Sequence, residues 1–191
     1  ADEYVTDPAA RQKGIPITPR FSYLLPQITV CTKLAFDHPD VYDDFDHTKD
    51  VFSTFFQQIA ADGHLILNQE DLDYKLPTSA KNKTTFGTQA GADFMYDFQP
   101  KNQEAGKTTA IVTHQGKEYQ ITLKVPGKFN VANAVCALAA CYYAGVPLTE
   151  SIAALASFSS TKRRFEHIGT KRGITYYDDY AHHPSELAAT I

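Results

Sequence analysis

Between Ile28 and Asn68 the chain runs through an apolar stretch, an acidic loop, an amphipathic stretch and a second apolar stretch, an order that few folds accept. "ITVCTKL", Ile28 to Leu34, is bounded by Pro26 and the acidic "DHPD", as a buried strand would be. From Thr48, a residue type suited to an N-cap, Val51, Phe52, Phe55, Phe56 and Ile59 recur at helical spacing and give one apolar face, with Gly63 expected to end the helix. "HLILN", His64 to Asn68, then reads as a strand. Strand, loop, helix and strand in this length make a βαβ unit, and chemistry often sits at the ends of such strands.

Residues 84 to 125 change character. "TTFGT", "DFMYDF" and "TTAIVTHQGKEYQITLKV" read as alternating strands joined by a turn around Gly116, so this part is expected to be antiparallel. After "VPGKF", a helix is expected from Asn130 to Ala144, with Val131, Ala134, Val135, Leu138 and Tyr142 inward and Gly145 and Pro147 closing it. A second helix from about Thr149 to Phe158, a hairpin turning at "KRG" and a helix opened by Pro184 follow. Ahead of all this, "AARQKGIPITPR" reads as a short helix, a stop at Gly14 and a strand.

Composition narrows the partners. The 191 residues are 43% hydrophobic and 21% charged, enough for a real core, and the net charge of -4 with scattered Lys and Arg makes no footprint for nucleic acid or anionic membranes. Small molecules are the expected partners. Cys31, Cys136 and Cys141 form no paired framework and no CxxC, which fits a reducing cytoplasm, and the longest apolar run, "VCALAACYYAGV", is short of a membrane span. "AGKTT", Ala105 to Thr109, resembles part of a phosphate loop but lacks the Gly five residues earlier, where Lys101 stands, and is followed by hairpin rather than helix sequence.

Three stretches in order, "VPGKFNVANAVCALAA", "TKRRFEHIG" and "YYDDYAHHPSE", resemble the Mur ligases, ATP-dependent amide-forming enzymes of peptidoglycan precursor synthesis. The resemblance implies an α/β fold with a Mur-ligase-type central domain, a mostly parallel sheet with helices plus a small antiparallel section, followed by the start of a Rossmann-like C-terminal domain. Residues 1–25 would be a remnant of the uridine-binding N-terminal domain, 26–159 a partial ATP-binding central domain and 160–191 the start of the C-terminal domain. The family's phosphate loop and catalytic acidic strand, due before "ITVCTKLAFDHPD", have no counterpart, so the chain as written is expected to lack ligase activity.

The resemblance also assigns roles. Asn130 and Asn133, three apart at a helix start, would approach the adenine of ATP, where a carboxamide offers both donor and acceptor; the plain alternative makes Asn130 an N-cap. Arg164 would reach the nucleotide phosphates through its forked guanidinium; the alternative is a surface pair with Glu166, and Arg163 is the more structural of the two. Asp179 would accept from the ribose hydroxyls, and His182 would face the reacting phosphate and the acceptor amine. His38, in "DHPD", would hold Mg2+ between phosphate and carboxylate, although Lys33 stands where the family commonly has Asn. Neighbours in an extended segment alternate sides, so Asp178 and Asp179 are not expected to share a ligand, nor His182 and His183 one ion.

Within the family the doubled "HH" and "RRFE" are most similar to members that use UDP-N-acetylmuramate with L-alanine or a murein tripeptide, with "RRFE" favouring L-alanine, and the resemblance implies joining through an acyl phosphate as the C-terminal domain closes about a hinge at Ser159 to Lys162. Three alternatives stay open at this point: a murein tripeptide in place of L-alanine, a non-catalytic Mur-ligase-like fragment, and a metal-dependent hydrolase built from "DHPD" with "DDYAHH".

Overall fold

Strand β1, Ile28–Cys31, and strand β2, His64–Asn68, run parallel with Ile28 opposite His64, and helix α1, Phe45–Phe56, connects them. The βαβ unit is therefore present. The computed structural model describes residues 13–14, 19–39, 41–99, 107–182 and 186–188, and the chain divides after Asp93 into two compact units. The expected first helix and "GIPI" strand, Pro184, and the Ala105–Gly106 part of "AGKTT" lie outside the described residues, although residues 186–188 are helical.

In the first unit, side chains trim β1. Its strand hydrogen bonding stops at Cys31 rather than reaching Leu34 because the Asn68 amide donates to the Thr32 carbonyl at 3.0 Å and the Leu34 N–H goes to the Asp71 carboxylate at 2.9 Å. Helix α1 starts earlier than expected: Asp44 is the N-cap, its carboxylate accepting the His47 N–H at 2.7 Å, where an anion also meets the positive helix end. Thr48 sits inside the helix, 1% exposed, with its hydroxyl donating to the Asp44 carbonyl. The helix also stops at Phe56, well before Gly63, where the Thr78 hydroxyl takes the Phe56 carbonyl at 2.9 Å. Gly63 instead lets the chain turn tightly into β2, since a Cβ there would lie 2.5 Å from the Gln27 carbonyl oxygen.

Strand β3, Asn82–Gly87, corrects the reading of "TTFGT": it pairs in parallel with β2, His64 opposite Asn82, and extends the parallel section to three strands. Phe56, Ile59, Leu65 and Leu67 form the centre of this unit's core, with Phe52 and Phe55 packed against it.

The second unit carries strands β4, Phe94–Phe98, β5, Thr108–His114, and β6, Lys117–Leu123, all antiparallel. Gln115 and Gly116 join β5 to β6 with φ of 50° and 72°, the two left-handed residues of a tight hairpin. Because a strand follows Lys107, "AGKTT" opens no helix. Helix α2, Lys128–Tyr143, packs on β4 and β5 through Val131, Ala134, Val135 and Leu138, and helix α3, Leu148–Leu155, lies against α2 and β6. Gly145, with φ of 86°, closes α2. Strands β7, Glu166–Lys171, and β8, Ile174–Asp178, form the expected hairpin, turning at Arg172 and Gly173, with mostly exposed side chains. No helix among the described residues is long and apolar enough to cross a membrane.

Candidate functional site

The residues before β7 and those after β8 are bound to each other side chain to backbone. Asp179 accepts the Phe165 N–H and the Ala181 N–H, each at 2.7 Å, one on either carboxylate oxygen. Tyr180 N–H donates to the Arg163 carbonyl at 2.8 Å, and the Arg163 guanidinium lies 4.7 Å over the Tyr180 ring with Asp178 at 3.6 Å from its Nε. The Glu166 carboxylate accepts the Arg163 N–H at 2.8 Å, and the Ser160 hydroxyl donates to the Arg164 carbonyl at 2.9 Å. These bonds hold Ser160, Arg163 and Phe165 in the left-handed region, φ 82°, 59° and 50°, a concentration of unfavourable backbone that persists where its surroundings over-determine it.

Arg164 and His182 meet at one acid. The Arg164 Nη1 is 3.9 Å from one oxygen of Glu186, and the other oxygen accepts the His182 N–H at 3.2 Å and lies 3.8 Å from the His182 Nδ1. The plain alternative for Arg164 named the wrong partner: Glu166 binds the Arg163 backbone instead. Glu186 was missed in the sequence, although its place four residues after His182 at a helix start was a usable sign. Asp178 and Asp179 do turn to separate partners, as alternation demands. His183 lies outside the described residues.

Asn130 is not the N-cap of α2, a place held by Gly127. Asn130 falls in the first turn and its amide donates back to the Pro126 carbonyl at 2.6 Å. Asn133, one turn on, is exposed, and its carboxamide has no hydrogen-bond partner among the described residues. Pro126 also lines a cleft of about 670 Å³, whose other walls include Lys124, Lys162, Phe165, His167 and Tyr177. Phe165 and Tyr177 stack at 4.5 Å there. Pro126, held by Asn130, and Phe165, held by Asp179, thus both line the cleft, whose charged walls are Lys124, Lys162 and Glu166 and whose flat aromatic groups suit a ring-bearing ligand.

His38 belongs to the first unit. Its N–H donates to the Asp37 carboxylate at 2.8 Å, its φ is 55°, and its ring Nε2 is 3.8 Å from the same carboxylate. Its carbonyl accepts from Val41 and Tyr42, both at 2.9 Å, which fixes the loop after β1. Asp40 lies outside the described residues. Among the described residues no three metal-ligating side chains converge, so the metal-dependent hydrolase alternative finds no ligand set there.

Residues 15–141 match the family model of the Mur ligase middle domain, and the chain belongs to that family. The UDP-N-acetylmuramate--L-alanine ligase of Desulfitobacterium hafniense (strain Y51) is 37% identical to it over 166 residues, covering 87% of this chain and 37% of that protein. The chain therefore spans little more than a third of that relative's length. Among solved structures, the UDP-N-acetylmuramate-alanine ligase MurC of Thermotoga maritima is similar with a TM-score of 0.69 and 26% identity, over 88% of this chain and 38% of that one. The MurF ligase of Thermotoga maritima in complex with ADP shares the fold with a TM-score of 0.72 at 18% identity, over 86% of this chain and 38% of that one.

Proposed function

We propose that the protein is an ATP-dependent ligase that joins L-alanine to UDP-N-acetylmuramate through an acyl phosphate, in peptidoglycan precursor synthesis in the cytoplasm. The observation that carries this reading is the meeting of Arg164, Asp179 and His182 in one bonded pair of segments, in a chain 37% identical to a relative of that name. In this reading residues 1–25 belong to an N-terminal uridine-binding domain, 26–159 to the central domain and 160–191 to the C-terminal domain.

Phosphoryl transfer needs positioning and charge neutralisation more than covalent help. Arg164 supplies a permanent, forked cation for phosphate oxygens. Asp179 has lone pairs beyond the two that hold backbone N–H groups, and these can accept from the two ribose hydroxyls. The free carboxamide of Asn133 can read an adenine edge, while Asn130, tied to Pro126, keeps its oxygen for the same purpose. His182 faces the acceptor amine. Mg2+, when bound, neutralises phosphate charge, and His38 with Asp37 offers it one imidazole and one carboxylate. That donor set suits an ion shared with phosphate oxygens and is too small for one held by protein alone.

The test is phosphate release by the protein expressed from its complete reading frame. Release requiring ATP, UDP-N-acetylmuramate and L-alanine together supports the reading. Release with the murein tripeptide but not L-alanine would move the assignment to the recycling ligase, and no ATP-dependent release with either acceptor would overturn it.

A further inference from the structure

We infer that Glu186 is a positioning residue: with the Tyr180 carbonyl it fixes His182 with the proton on Nδ1, leaves Nε2 bare, and ties Arg164 to the same point. The inference deepens the ligase reading and rests on it for the role of His182.

The surroundings of the His182 Nδ1 favour one tautomer. His182 Nδ1 lies 2.9 Å from the Tyr180 carbonyl oxygen, and a carbonyl can only accept, so this contact favours the hydrogen on Nδ1. In a neutral imidazole the other nitrogen then has none. Glu186 strengthens this choice, since its carboxylate sits 3.8 Å from the same Nδ1 and favours an N–H there over a lone pair. It also grips the residue's backbone, accepting the His182 N–H at 3.2 Å, so both the main chain and the ring of His182 are oriented by one side chain. The Tyr180 ring completes the seat, edge-on to the imidazole with centroids 5.1 Å apart.

The second Glu186 oxygen faces the Arg164 Nη1 at 3.9 Å, a separation that lets the guanidinium trade the carboxylate for a phosphate without leaving its place. Arg163 takes no part in this exchange, because Tyr180 and Asp178 occupy it. A histidine with a bare Nε2 can take the proton that an amine nitrogen sheds as its bond to carbon forms, and the arrangement matches how a carboxylate or carbonyl sets a catalytic imidazole in its working tautomer.

The experiment is nitrogen NMR of 15N-histidine-labelled protein from the complete reading frame, at about pH 8.5 where an ordinary imidazole is neutral, with His182→Asn identifying the signal. The expected spectrum has the Nδ1–H form dominant at His182, unlike free histidine, in which Nε2–H prevails. Glu186→Gln and Glu186→Ala should both raise the Nε2–H fraction, and should lower kcat about tenfold or more with the KM for ATP changed less than about twofold. A wild-type signal of the Nε2–H form, or a tautomer ratio that neither variant moves, would overturn the inference. Failure of the ligase reading is a separate result: wild-type protein with the Nδ1–H spectrum and no turnover.

Discussion

Asp179 spans from Phe165 to Ala181, one carboxylate oxygen accepting the backbone N–H of each at 2.7 Å. A single side chain thereby closes the segment that presents Arg164 onto the segment that presents His182. The two N–H groups need two acceptors on opposite sides, which a carboxylate has and a carboxamide lacks. Asp179→Asn should leave one N–H unpaired and cost about 1–2 kcal/mol locally. Hydrogen exchange at the Phe165 or Ala181 amide should then speed up about tenfold, while β5 and β6 keep their protection. Unchanged exchange at both amides would contradict the bridging role.

Asn130 and Asn133 look alike in sequence but differ in what they hold. Asn130 donates to Pro126 and so anchors the turn into α2, whereas the Asn133 carboxamide is exposed. Asn130→Ala should lower stability by about 1 kcal/mol and weaken ATP binding as well. Asn133→Ala should weaken ATP binding with stability within about 0.5 kcal/mol of wild type. Thermal denaturation with and without ATP separates the two; equal stability losses for both variants would contradict the distinction.

What the sequence made legible was local. The tight turns at Gln115–Gly116 and Arg172–Gly173 were readable because a glycine marks the left-handed backbone, and the βαβ unit because apolar spacing reports buried faces. β3 was misassigned because alternation marks a strand but says nothing about the direction of its pairing. β1 was drawn too long for a related reason: Asn68 and Asp71 capture its last backbone groups from across the loop, and apolar patterning cannot show that. Glu186 is a partial case: its i,i+4 place after His182 is local and legible, but its approach to Arg164 shows only when folding brings the hairpin ends together.

The three thiols should react in a set order. Cys136 is buried, its Sγ donates to the Asn133 carbonyl at 3.0 Å, and burial pushes its pKa up to about 11, so little reactive thiolate forms near neutrality. Cys31 is buried in the first unit's core, and Cys141 is half-buried. Iodoacetamide labelling of native protein at neutral pH, read by peptide mass spectrometry, should modify Cys141 first. Cys136 labelling at the rate of Cys141 would contradict this, unless denaturant has been added.

Asp71 gives the fold a pH dependence with a definite sign. It is 2% exposed, one oxygen accepts the Leu34 N–H at 2.9 Å and the other has no hydrogen-bond partner among the described residues. Burial pushes its carboxyl above the usual carboxylate range, against the opposing pull of that N–H and of the Lys33 charge. A raised folded pKa means the native state binds the proton more tightly than the unfolded chain does. The contribution therefore favours the fold below the unfolded pKa and is lost as pH rises through the folded one. Asp71→Asn keeps an oxygen for Leu34 and removes the titration. The stability of wild type relative to this variant should fall as pH rises from about 4 to about 7, followed by chemical denaturation at stepped pH. A difference that stays constant across that range would mean that the Leu34 N–H and the Lys33 charge cancel the effect of burial, and one that grows in favour of wild type that they outweigh it.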